Sequence, residues 1–123
     1  MERELFLMKF LDRKQKAYFG IGPKFVENEM EGNFKKGTIV IVMGCDSLTN
    51  NSLADAFFKK GVDTYFGFDG SVSAPYVDKV AEVLMQHLVV DQMTPANAFE
   101  ATVSEVSPDP VYGGKLLILR SAR

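Results

Sequence analysis

The sequence predicts an α/β domain, a three-layer sandwich built on a mostly parallel sheet. Three observations predict it. The run Thr38-Ile-Val-Ile-Val-Met43 is β-branched or apolar without alternation. Such a run reads as a strand buried on both faces, as in the middle of a parallel sheet. A capped amphipathic stretch from Ser52 to Lys60 follows, and then a second apolar run, Asp63 to Phe68. Strand, short crossover helix, strand is the sequence form of a right-handed βαβ unit. The expected strands cover residues 38–43, 63–68 and 115–119.

Residues 1–36 read as an irregular lead-in, and residues 37–123 as the core of a single domain. Leu5 to Leu11 form a short apolar run, strand or helix, over which periodicity cannot arbitrate. Asp12-Arg13-Lys14-Gln15-Lys16 reads as a solvated turn. Ala17 to Ile21 fits a short strand, and Pro23 the first turn of a helix over Lys24 to Met30. Gly44 is expected to let the chain turn after the central strand, having no Cβ to clash. Ser52 is the expected N-cap of the next helix, with Asp55 in capping-box position. Leu53, Ala56 and Phe57 share its inner face, and Gly61 closes it. A long helix from Ala74 to Val90 carries the stripe Val77, Val80, Ala81, Leu84 and Leu88. Thr94 and Pro95 then cap and open another helix, with Ala98, Phe99, Thr102, Val103 and Val106 inward. Pro108 and Pro110 stop it. Gly113-Gly114 is a turn before the final strand, whose direction the pattern leaves open.

A chain of 123 residues suggests one domain with a modest core. A formal net charge of -2 provides no basic field for nucleic acid. No apolar run approaches the roughly 18 residues of a membrane span. Met1-Glu-Arg-Glu4 has no signal-peptide pattern, so a reducing cytoplasm is the expected compartment. One cysteine cannot form an internal disulfide, and one His with one Cys makes no metal site. Glycines 20, 22, 32 and 37 lack phosphate-loop spacing, so no nucleotide cofactor is expected.

Cys45 is the sharpest candidate for chemistry. Functional groups in open α/β sheets gather beyond the carboxyl ends of strands, where Cys45 would stand. The other reading is a small buried hydrophobe. A nucleophilic thiol needs a nearby base or positive field. The single histidine, His87, lies on the stripe of the long helix and reads as a satisfied, partly buried residue; a Cys45–His87 dyad is the sharper alternative. Asp46 and Asp69 would meet at the same edge. They read either as turn residues or as a small acidic pocket for a cationic side chain.

The strand ending in Met43-Gly44-Cys45-Asp46-Ser47 resembles the nucleophile strand of caspase-like cysteine peptidases, the group of caspases, gingipains, separase and the bacterial CHAT peptidases. Ser52-Leu-Ala-Asp-Ala-Phe-Phe-Lys-Lys-Gly-Val-Asp-Thr-Tyr-Phe-Gly-Phe-Asp-Gly-Ser71 is similar to the CHAT-type helix, turn, strand and substrate loop. Gln92-Met-Thr-Pro-Ala-Asn-Ala-Phe-Glu-Ala101 is similar to the family's late helix. Tyr18-Phe-Gly-Ile-Gly-Pro-Lys-Phe25 resembles a run preceding the cysteine strand in archaeal members. The resemblance covers about residues 38–105.

The resemblance implies Cys45 as the nucleophile of an endopeptidase, with its own backbone N–H as one oxyanion donor. It implies that Asp69, with Asp46, Gly70 and Ser71, lines the substrate site and favours a basic P1 side chain. The family's histidine base stands about 50 residues upstream of the cysteine in caspases. Residues 1–44 contain no histidine, so the base is expected from outside this chain. The Gly after that His, the second oxyanion donor, is missing with it. Gly44 also stands where the family more usually has Ala. The expected protein is thus the nucleophile-bearing, C-terminal part of a larger fold, inactive alone. It would associate as a homodimer or with an upstream half-domain through an exposed sheet edge at residues 38–43. The rival is a non-catalytic α/β interaction domain with Cys45 as a buried packing residue.

Overall fold

The computed structural model of the chain describes residues 5–9 and 17–122. Met1 to Glu4, the expected solvated turn at 12–16, and Phe10 and Leu11 lie outside the described residues. The first apolar run is a strand, β1 (Leu5–Lys9), paired antiparallel with β2 (Ala17–Ile21) so that Leu7 stands opposite Phe19. The lead-in is therefore not irregular throughout. It continues into α1 (Pro23–Asn28), with Pro23 at its start.

The second sheet has the order β3-β4-β5 and is mixed. β3 (Ile39–Ile41) runs parallel to β4 (Thr64–Asp69), with Val40 opposite Tyr65. β5 (Lys115–Arg120) runs antiparallel to β4, with Leu119 opposite Tyr65. The expectation of β3 in the middle, drawn from its apolar pattern, is corrected, while the sheet edge expected at 38–43 from a half-fold is present. β3 is an edge strand of this sheet and half-buried, whereas β4 lies at the centre and is buried from Thr64 to Phe68. The physical reason is that an apolar run without alternation reports cover above and below a strand. It does not report how many strands lie beside it.

Both faces of the sheet are covered. Phe66, Phe68 and Leu116, with Ile39, Ile41 and Ile118 at their margin, pack with Tyr76, Val80, Leu84 and Ala98. Tyr65, with Val40, Val42, Leu117 and Leu119, packs with Leu48, Ala54, Phe57 and Phe58. Side chains such as Phe66, Phe68 and Leu84 are fully buried, each contributing roughly 1.5–3 kcal/mol. Their helices follow from local chemistry. The first, α2 (Ser52–Lys59), has Asn51 rather than Ser52 at its N-cap position, without a side-chain capping bond. Ser52 instead donates both its hydroxyl (2.7 Å) and its N–H (3.1 Å) to the Asn50 Oδ1. The helix ends as expected at Gly61, whose φ is 102°. The Gly61 N–H donates to the Phe58 carbonyl and the Val62 N–H to the Phe57 carbonyl, each at 3.1 Å, the paired bonds of a Schellman ending. α1 lies against α2, and Lys59 pairs with Glu27 at 3.0 Å.

The long helix divides in two: α3 (Ala74–Met85) and a π-helical turn, Gln86–Val90. Then α4 (Pro95–Glu105) starts at Thr94, whose Oγ1 accepts from the Asn97 N–H at 3.2 Å. No helix among the described residues is long and apolar enough to cross a membrane.

Candidate active site

The chain leaves β3 through Val42, whose N–H donates to the Phe66 carbonyl at 3.0 Å. The segment from Met43 to Leu48 then folds over the carboxyl end of β4. Ser47 fastens it: its Oγ donates to the Val42 carbonyl (3.0 Å) and accepts from the Phe68 N–H (2.7 Å). Its carbonyl accepts from the Tyr65 hydroxyl at 3.1 Å. Gly67 permits this approach, because a Cβ there would lie 2.9 Å from the Leu48 Cβ and 3.0 Å from the Ser47 Oγ. The turn itself is made by Asp46, at φ 56°. Asp tolerates this left-handed conformation better than most residues. Gly44, expected to make the turn, has no positive φ, and a Cβ on it would meet open space.

The result is an exposed thiol. Cys45 stands at the carboxyl end of the parallel β3/β4 pair, against the loop that leaves β4. The Val72 N–H donates to the Cys45 Sγ at 3.4 Å, and the thiol donates to the Val72 carbonyl at 3.5 Å. The two loops are joined again where the Asp46 N–H donates to the Gly70 carbonyl at 2.9 Å. Cys45, Asp46, Gly70 and the neighbouring Asp69 and Ser71 thus share one edge, and Asp46, Asp69 and Ser71 are exposed there. The Asp46 carboxylate accepts from the Thr49 hydroxyl at 3.0 Å, so it serves its own turn. Asp69 stands directly across the β4/β5 ladder from Lys115.

His87 is elsewhere. It lies in the π-helical turn, thirteen residues after Ala74, which is roughly 20 Å along a helix. It is buried, with Nδ1 2.9 Å from the Asp91 Oδ2 and Nε2 2.8 Å from the Glu105 Oε1. The Asp91 hydrogen bond raises its pKa, burial opposes this, and the Glu105 bond adds to the rise. Both ring nitrogens are engaged by carboxylates. The structure forms no Cys45–His87 dyad, and the satisfied reading of His87 holds.

Asp109 escaped the sequence reading. It is 3 % exposed and accepts from the Ser73 N–H (2.7 Å), the Ser73 hydroxyl (2.9 Å) and the Val111 N–H (3.1 Å). Burial alone would raise its pKa, but donors from Val111, Ser73 and Tyr112 outweigh burial and hold the carboxyl below its ordinary value. The available signal was Pro108-Asp109-Pro110, because Asp before Pro favours turn initiation. Among the described residues, no three His, Cys, Asp or Glu side chains are grouped so as to hold a metal ion.

No family model, no curated protein and no solved structure matches this chain.

Proposed function

We propose that this chain is the nucleophile-bearing part of a caspase-like cysteine endopeptidase, with Cys45 as nucleophile and the imidazole base supplied from outside the chain. The observation that carries this reading is the exposed Cys45 thiol at the carboxyl end of a parallel strand pair, beside the exit loop of the neighbouring strand. Such an edge is where α/β sheets hold their ligands. An exposed thiol is also a poor fit to the rival role of buried packing residue. The chain's one histidine is saturated by Asp91 and Glu105, which is why the base must come from elsewhere.

The chemistry follows from those parts. The incoming imidazole takes the Cys45 proton, and the thiolate sulfur bonds to the scissile carbonyl carbon. The Cys45 backbone N–H gives one hydrogen bond to the developing oxyanion, and the polypeptide carrying the histidine gives the other. The protonated imidazole then gives its proton to the leaving amine, and water releases the acyl group. A basic P1 side chain is drawn between Asp46 and Asp69, with Gly70 and Ser71 along its path. The completing polypeptide, an upstream half-domain that carries the histidine, adds strands beside β3; a homodimer through the same edge would add strands without a free imidazole. The completed fold is a mostly parallel, three-layer sandwich in a reducing cytoplasm. Alone, the chain is inactive, since it lacks a base and half an oxyanion hole, each worth orders of magnitude in rate.

The test uses two reagents on Cys45. Iodoacetamide should alkylate the folded chain at neutral pH, as read by intact mass. A peptidyl-Arg acyloxymethyl ketone should label Cys45 only after extract of the source cells supplies the missing half. Alkylation without any probe labelling would move the assignment to the non-catalytic interaction domain.

A further inference from the structure

We infer that Asp109 is a positioning residue for the Cys45 thiol, acting through Ser73 and Val72. The inference rests on the reading of Cys45 as the reactive group. It concerns how the fold fixes two groups that hydrogen-bond with that sulfur, the backbone N–H and carbonyl of Val72.

Val72 sits in a short connection between the end of β4 at Asp69 and the start of α3 at Ala74. A connection of this kind has no ladder of its own to hold it, and loops placed on a rigid scaffold need fixed points. The segment from Asp109 to Gly114 provides two. The first is the Asp109 carboxylate, which grips Ser73 by both its N–H and its hydroxyl. Hydrogen bonds to a charged acceptor are the strong ones, and two donors from one residue fix its orientation as well as its position. The second is Gly114, whose backbone lies so near the loop that an added Cβ would be 2.2 Å from the Ser71 carbonyl oxygen and 2.7 Å from the Val72 Cγ1.

The gripping segment is itself closed. The Asp109 N–H donates to the Gly114 carbonyl at 2.9 Å, and the Gly113 N–H donates to the Asp109 carbonyl at 2.8 Å. Oδ1 of Asp109 also accepts from the Val111 N–H two residues on, an Asx turn within the same loop. One carboxylate therefore holds its own loop and the neighbouring one in a single arrangement. Val72 lies next to Ser73 in the chain, so the arrangement sets where its N–H and carbonyl meet the sulfur.

The experiment is a double-mutant comparison by amide NMR on the isolated full chain, and it needs no partner and no substrate. Cys45→Ala removes the sulfur and should shift the Val72 amide proton. In the Asp109→Asn background most of that shift should be lost, because Val72 no longer meets the sulfur in the same geometry. If Asp109→Asn does not fold, Ser73→Ala decides. It deletes the hydroxyl bond alone, and a partial loss of the Val72 shift is expected. The inference is overturned if the Val72 response is whole in the folded Asp109→Asn variant, even with a lower melting temperature, or whole in Ser73→Ala. Failure of the peptidase reading would appear in the ketone labelling and would leave this NMR result standing.

Discussion

The two groups best suited to chemistry, one thiol and one imidazole, sit at opposite ends of α3 and are built in opposite ways. Cys45, beside the start of the helix, is exposed and touched by a backbone N–H and a carbonyl. His87, past the end of the helix, is buried, with a carboxylate on each ring nitrogen. A general base must have a nitrogen free to take a proton in the range where it works. An imidazole held between Asp91 and Glu105 has neither ring nitrogen free to act as a base, and it ties the π-helical turn to α4. A thiol that faces solvent over a braced loop remains open to an incoming group. Residue type is thus a poor guide to role here, and partner saturation a better one.

The largest effect should come from breaking the braces of the Cys45 edge. Gly114→Ala forces a Cβ to 2.2 Å from the Ser71 carbonyl oxygen, so backbone on one side must move. Overpacking of this kind costs about 1–3 kcal/mol or more. The melting temperature should fall by roughly 5–10 °C. Gly44→Ala is the matched control at the same edge. Its Cβ meets open space at an ordinary φ, so the change should stay within about 0.5 kcal/mol. Equal losses in the two variants would mean that the loop is not braced from the 109–114 side.

The next effect belongs to the other end of the helix and depends on pH. The folded pKa of His87 is raised above 6.5, first by its bond to Asp91, against burial, and further by Glu105. A raised pKa means that the folded chain holds the proton more tightly than the unfolded chain. The stabilisation is therefore complete below about pH 6.5 and is lost as pH rises through the folded value. His87→Gln should lower the urea midpoint most in acid, and the two curves should converge in alkali. Its alkylation at Cys45 should match the parent chain. A constant difference at every pH would show that the ion pairs add nothing to the packing of this side chain.

These two ends also differ in how much of them the sequence reveals. Local chemistry reads well. Gly61 closes α2, Thr94 and Pro95 open α4, and the strands expected at 38–43 and 63–68 are present as the shorter Ile39–Ile41 and as Thr64–Asp69. These features depend on neighbours within a few residues. The edge position of β3 does not: it follows from the half-fold that the resemblance implies, with its exposed edge at 38–43, because lateral pairing leaves no mark on the pattern of apolar residues. Asp109 is the clearest case. Two of its donors come from Ser73, 36 positions away, and no spacing rule joins the two residues. Ser52 failed as a cap for a local reason, since Asn50 offers its side chain a competing oxygen. Cys45 was placed correctly at the carboxyl edge, but its turn is made by Asp46 rather than Gly44.

The smallest effect concerns the acidic character of the Cys45 edge. Asp69 stands opposite Lys115, and directly opposed residues of an antiparallel pair share one face. Both are exposed, so a charge interaction between them across the ladder is screened by solvent. Lys115 therefore offsets part of the attraction that Asp69 would exert on a basic P1 side chain. If the proposed peptidase is reconstituted, Asp69→Asn should reduce the kcat/KM preference for Arg over a neutral side chain by about two- to fivefold, the scale of a screened charge interaction. Lys115→Gln should raise that preference by a similar or smaller factor. The opposite signs separate a field at the substrate from a change in the loop, which would move both variants in the same direction. If neither variant changes the Arg preference, Asp69 is a strand-end residue paired with Lys115, and selectivity at this edge has another source.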